Sequence, residues 1–173
     1  ESAEIVDKSG VQSLIGLSTA LKVTCDDLKV TVQALNQNGL GLAAMLAKSL
    51  NTELLKDSFS ITYKRPDKNL DEATRLKAEG PMTVMRKLHE LLKPCEGIIV
   101  TGVIAFDFIN NFEYIGDVPK GKNPCSDYGF YVFDISIRSN HVHKETTVNA
   151  YVFNEDSYKE TAFEALDIRD KID

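Results

Sequence analysis

Residues 20–39 read ALKVTCDDLKVTVQALNQNG, and this stretch decides the fold class. Leu21, Val23, Leu28, Val30, Val32 and Ala34 alternate with Lys22, Thr24, Lys29, Thr31 and Gln33, the period of a strand with one buried face. Cys25-Asp26-Asp27 between the halves reads as a hairpin turn. Asn36-Gln37-Asn38-Gly39 then breaks the strand. Leu40 to Leu50 follows with Leu42, Met45, Leu46 and Leu50 on one side, which predicts an amphipathic helix.

Working outward, Phe59, Ile61 and Tyr63 alternate in a short strand that ends at Arg65-Pro66, and Leu70 to Lys77 predicts a short helix before Gly80. Pro81 suits a first helical position, because its missing N–H costs nothing there. Val84, Met85, Leu88, Leu91 and Leu92 then recur at helical spacing until Pro94 stops the run. The run from Ile98 to Phe106 is apolar on both sides, so it is expected to be an interior strand covered on both faces. Asp107 to Asp127 is rich in Asn, Gly and Pro and reads as an irregular excursion with a helical turn near Phe108 to Phe112. Two strands, Tyr128 to Ser139 and Thr146 to Phe153, join at Asn140 to Glu145, and Glu155 to Ile172 forms an acidic amphipathic helix. The expected class is α+β: two β-hairpin/helix units forming part of an α/β/β/α sandwich.

The chain has 173 residues, a 43% apolar content and a formal net charge of -6, with acidic and basic residues mixed throughout. That length suits one compact domain, and that charge argues against a nucleic-acid binder, which needs clustered Lys and Arg. No apolar run is long enough to cross a bilayer, and the first residues lack the layout of a secretory signal, so no membrane partner is expected. Three widely spaced cysteines, Cys25, Cys95 and Cys125, fit reduced thiols in the cytoplasm better than a disulfide framework or a zinc knuckle. The start at Glu1 and the stop inside a helical run read as cuts.

Several segments taken together resemble anthranilate synthase component I, a member of the chorismate-utilising enzyme family. Glu1-Ser2-Ala3-Glu4-Ile5 looks like the end of that family's leucine-rich first strand. The hairpin Ala20 to Leu35, the run Gln33 to Gly39 and the helix after it agree in order and length. Thr101-Gly102-Val103-Ile104-Ala105-Phe106-Asp107 with Phe112-Glu113 resembles the family's central strand, and residues Asn123 to Tyr131 resemble the start of its long hairpin. Two departures stand out: the family's glycine pair is only Gly102 here, and its tyrosine-rich run is replaced by Ala105-Phe106-Asp107-Phe108.

The resemblance implies that residues 1–173 are an amino-terminal domain whose catalytic carboxy-terminal half is absent. The full-length enzyme would be a lyase that converts chorismate and glutamine, or ammonia, to anthranilate and pyruvate in tryptophan biosynthesis. Magnesium would be bound by the absent half, and a glutamine amidotransferase subunit (component II) would supply ammonia. In this part the resemblance implies a tryptophan feedback site that includes Glu1 and Ser2, no catalytic residue, and no activity alone. Ala3 and Glu4 would be neighbours of that site more than contacts, and Lys8 a weak candidate on the following loop. Aminodeoxychorismate and isochorismate synthase share the layout and stand as alternatives, as does a free-standing α+β ligand-binding domain.

Other chemistry-bearing residues read more plainly. His141 and His143 could form a metal pair, but no third ligand has convincing spacing, so a turn is expected and no metal site is assigned. Asp107, Glu113 and Asp127 flank the excursion, where Asp commonly bonds nearby backbone. Lys120-Gly121-Lys122 lacks the full phosphate-loop pattern. Met82, Met85, Phe106, Phe108 and Phe112 read as core, or as surface covered by further chain.

Overall fold

The structure, a computed structural model, describes residues 10–67, 69–112 and 125–172. Strand β1 (Gln12–Asp26) turns into β2 (Lys29–Ala34), followed by α1 (Gln37–Ser49), β3 (Ser58–Thr62), α2 (Glu72–Lys77) and α3 (Met82–Leu92). Strand β4 (Ile99–Ile104), a 3-10 turn (Phe106–Asn111), β5 (Tyr128–Asn140), β6 (Glu145–Ala150) and α4 (Tyr158–Ile172) complete the order. All strand pairs are antiparallel, in the order β3-β2-β1-β5-β4, with β6 also paired to β5. The chain is therefore α+β, and its two hairpin/helix units, β1-β2-α1 and β5-β6-α4, share one sheet through the β1–β5 pair.

The alternation in residues 20–35 does what its period requires. Leu21, Val23 and Cys25 lie opposite Ala34, Val32 and Val30, all buried, while Lys22 and Thr24 pair with Gln33 and Thr31 on the other face. The turn falls one residue later than Cys25-Asp26-Asp27 suggests, with Asp27 at φ 57, a conformation that Asp and Asn tolerate better than most residues. Helices α1 and α3 cover the apolar face: Leu42, Ala43, Leu46 and Ala47 from one and Val84, Leu88 and Leu92 from the other join the strand residues in a single core.

Helix α1 begins earlier than the apolar spacing predicts. Asn36 caps it, its Oδ1 accepting from the Gly39 N–H at 2.7 Å, which satisfies one of the donors that a helix start leaves free. Its buried face also differs: Asn38 and Gly39 turn inward and Met45 outward. Gly39 is required because a Cβ there would stand 1.9 Å from the Ala20 carbonyl oxygen.

Two expectations need correction. Strand β1 extends back to Gln12, where the sequence shows no clean alternation, because irregular register between Gly16 and Leu21 against β5 breaks the period of two. The run around β4 is not an interior strand. Among the described residues it pairs only with β5, and Val103 is 73% exposed and Phe106 84%. An apolar run reports that both faces avoid water in the folded assembly, not which partner covers them.

Candidate functional site

Glu1 and Ser2, the residues assigned to tryptophan binding, and their neighbours Ala3, Glu4 and Lys8 lie outside the described residues, as do Glu113 and Lys120 to Lys122. The strand that follows them in sequence is described. Its first half, from Gln12 to Ala20, pairs with β5 on one edge, and Leu14, Ile15 and Leu17 are exposed there. Gly16 lies under the Phe133 ring, where a Cβ would meet Cδ1 at 2.2 Å.

The densest buried polar cluster described joins the start of α1 to both hairpins. Asp134 on β5, 1% exposed, accepts on Oδ2 from the side-chain amides of Asn36 and Asn38, each at 2.9 Å. Asn36 also donates to Ser18 Oγ at 3.2 Å. Asn38 donates to the Tyr151 carbonyl at 2.7 Å, and its Oδ1 accepts from the Phe153 N–H at 2.6 Å and from Ser157 Oγ at 3.3 Å. A buried amide pays its desolvation cost only with such partners, so Asn38 acts as a staple holding α1 against the connection between β6 and α4. Asp134 Oδ1 and Ser136 Oγ have no partner among the described residues. In the sequence, Asn36-Gln37-Asn38-Gly39 reads only as a strand breaker. The polar pair before a helix was the available signal for the cap, while the contact to residue 134 depends on tertiary structure.

The remaining candidates separate. His141 and His143 sit in the turn between β5 and β6, where Asn140 Oδ1 accepts from the Val142 and His143 N–H groups, and His141 Nε2 lies 2.7 Å from Ser13 Oγ. No group of three His, Cys, Asp or Glu that could hold a metal ion occurs among the described residues. Asp127 pins the first hairpin: its Oδ2 accepts from the Asp27 N–H at 2.7 Å and its own N–H donates to the Cys25 carbonyl at 2.8 Å. Asp107 is exposed on the 3-10 turn. Phe108 is buried edge-on against Phe112 and Tyr128, and Met82 and Met85 flank the core. The Tyr128 hydroxyl donates to the Pro81 carbonyl at 2.8 Å, and burial pushes its pKa far above the ordinary tyrosine value.

A cleft of about 540 Å³ opens between α3 and β4, over Met85, Leu88, Leu92, Ile98 and Val100. Its rim carries His89, Lys93, Cys95 and Glu96. Burial raises the pKa of the Cys95 thiol. The loop that forms one wall is pinned, with the Tyr151 hydroxyl donating to the Glu96 carbonyl at 2.6 Å and Arg138 Nη2 to the Gly97 carbonyl at 3.3 Å.

These features define an α+β sheet layer with helices α1 and α3 on one face and a largely polar opposite face, on which Lys22, Thr24, Thr31, Ser60 and Tyr131 share register and remain accessible. The described residues present no assembled set of catalytic groups. No family model matches the chain. Anthranilate synthase component 1 of Haemophilus influenzae is 28% identical over 186 aligned positions, covering 99% of this chain and 35% of the relative. That of Serratia marcescens is 31% identical over 163, covering 90% of this chain and 31% of the relative. The crystal structure of anthranilate synthase component I from Streptococcus pneumoniae has the same fold, with a TM-score of 0.52 at 11% identity, over 99% of this chain and 32% of that one. The resemblance to anthranilate synthase component I thus holds over nearly the whole chain, which spans about a third of the length of the curated relatives it matches. No described helix is long and apolar enough to cross a membrane.

Proposed function

We propose that the chain is the amino-terminal scaffolding and regulatory part of an anthranilate synthase component I. The observation that carries this reading is the match of nearly the whole chain to about a third of each relative so named. In the reading, the whole protein acts in the cytoplasm as a lyase. It converts chorismate, with ammonia from a glutamine amidotransferase partner, to anthranilate and pyruvate, with Mg²⁺ held by residues outside this chain. Residues 1–173 supply no catalytic group and are inactive alone.

Their contribution is a platform. The polar sheet face and the exposed β4 edge, with Val103 and Phe106, give further chain a surface to cover, since an apolar edge of this kind is a liability when left bare. Glu1 and Ser2 contribute a carboxylate and a hydroxyl suited to the ammonium and polar groups of tryptophan. A ligand held there inhibits by preferring one conformation of the whole enzyme, without touching the reacting atoms.

The test is to supply the full-length protein with chorismate, Mg²⁺ and ammonia and follow anthranilate fluorescence with and without tryptophan. The reading expects anthranilate, suppressed by tryptophan, and suppression lost when Ser2 is replaced by a bulky residue. Chorismate consumed without anthranilate would move the assignment to a sister synthase. A folded protein that consumes no chorismate would overturn it.

A further inference from the structure

We propose that the cleft between α3 and β4 binds a small apolar carboxylate, with a body of one or two rings and a single anionic group. The inference is independent of the tryptophan site and of the overall activity. It rests on volume, lining and charge.

At about 540 Å³ the cleft lies within the range of pockets that take small ligands. Its floor is apolar and belongs to rigid elements: Leu88 and Leu92 are buried in the core that α3 shares with the sheet, and Val100 closes the far side from β4. Its movable wall, residues 93–98, is held in place. Tyr151 and Arg138 bond the carbonyls of Glu96 and Gly97, the Ile98 N–H donates to the Cys95 carbonyl at 3.2 Å, and Gly97 takes φ 80 to make the turn. A wall ordered before binding costs a ligand little entropy.

Charge selects the ligand's sign. Lys93, at the end of α3, and His89, one turn before it, are exposed on the rim, whereas the nearby Glu90 is engaged by Lys87 at 3.1 Å. Behind the wall, the Arg138 guanidinium bonds the neutral Gly97 carbonyl, and its Nε has no hydrogen-bond partner among the described residues. Cys95 is held as a neutral thiol by burial and adds no negative charge. The opposing group on the rim is the Glu96 carboxylate. Lys93 on the rim and Arg138 behind the wall together outnumber it, which leaves a net positive charge around the cleft.

The test is a titration of the 173-residue chain with 3-phenylpropionate, followed by amide chemical shifts, with neutral 3-phenylpropanol alongside. Saturable shifts confined to residues 85–100 are expected, with a Kd on the order of 1 mM, usual for a ligand of this size. Lys93→Gln should weaken the carboxylate about threefold and Glu96→Gln should tighten it by a similar factor, both positions being exposed and screened. Val100→Glu, at the accessible β4 edge, should abolish the shifts while leaving the thermal midpoint near that of the parent. No saturable shift, shifts centred elsewhere, or equal binding of the alcohol would overturn the proposal.

Discussion

Replacing Gly39 by Ala tests the packing of α1 most directly, because local and tertiary effects have opposite signs. In an open helix the change would gain about 1 kcal/mol from propensity. Here the new Cβ would lie 1.9 Å from the Ala20 oxygen, 2.7 Å from its carbon and 3.1 Å from its Cα, all backbone atoms of a buried strand. Relief to ordinary contact means moving α1 or β1 by roughly 1.5 Å, and overpacking of this kind costs about 1–3 kcal/mol. The shift would also stretch the Asn38 bonds to Asp134 and Tyr151, at 2.9 and 2.7 Å, and disturb the Leu35 N–H bond to Ala20 at 2.9 Å, each worth about 1 kcal/mol. After subtracting the propensity gain, the net loss should be about 3–5 kcal/mol. For a chain of this size that corresponds to a fall in midpoint of roughly 6–20 °C. Urea unfolding and a thermal scan followed by circular dichroism read both quantities. Gly80→Ala is the control, since nothing lies within 4 Å of its added Cβ, and it should stay within about 0.5 kcal/mol of the parent. A Gly39→Ala protein as stable as the parent would refute the close approach of α1 to β1.

Further outcomes follow from the same contacts. Asn38→Leu, which deletes the staple and leaves the Phe153 N–H without its acceptor, should cost about 3 kcal/mol in urea unfolding. Tyr128→Phe leaves the Pro81 carbonyl without its donor and should cost about 1–2 kcal/mol. In alkali, Tyr63, Tyr128 and Tyr151 all have folded pKa values raised, chiefly by burial. The stability they contribute is complete below the unfolded tyrosine pKa of about 10 and is lost above it. Tyrosinate absorbance should therefore lag behind that of free tyrosine until the fold opens. Asp71, whose carboxylate accepts from the Thr74 hydroxyl and N–H, has its pKa lowered mainly by the Thr74 side chain. Its cap on α2 is intact above the unfolded pKa of about 4 and is lost as pH falls through the folded value, so the Thr74 amide should follow a carboxylate titrating below the usual aspartate range.

How far the sequence could be read depended on whether a residue's partner lay nearby in the chain. Residues 20–39 were legible because a hairpin places Val23 opposite Val32 and Cys25 opposite Val30 within a few residues, and the resulting period is visible locally. The helix after Pro81 was legible for the same reason, its three buried residues standing four apart at 84, 88 and 92. Asn38 was not, because its partners are Asp134 on β5 and, over a hundred positions away, residues of the segment between β6 and α4. Nor was the first half of β1, where the irregular register with β5 removes the alternation that marks a strand. Of the candidate site, the turn role of Asp127 follows from its residue type, whereas the α3–β4 cleft is assembled from helix, loop and strand and has no sequence signature.

The apolar run of β4 encodes more than burial in the described core. Val100, Gly102 and Ile104 share the helix-covered face with Val132, Phe130 and Tyr128, while Thr101 and Val103 share the opposite face with Tyr131 and Gly129. The first set faces the core side, yet Val100 and Ile104 stay 39% and 52% exposed there. Val103 and Phe106, exposed on an edge strand and the turn after it, are not explained by anything the described residues contribute. Selection for a soluble isolated domain would favour charge at such an edge. If further chain covers this edge, Phe106→Asp should leave the stability of these 173 residues within about 0.5 kcal/mol and reduce their self-association, yet destabilise the full-length protein by about 3 kcal/mol, the cost of an unpaired buried charge. Urea unfolding and light scattering on both lengths measure the contrast. Equal effects on the two would mean that the edge faces water in the full-length protein, and its apolar character would then need a different partner.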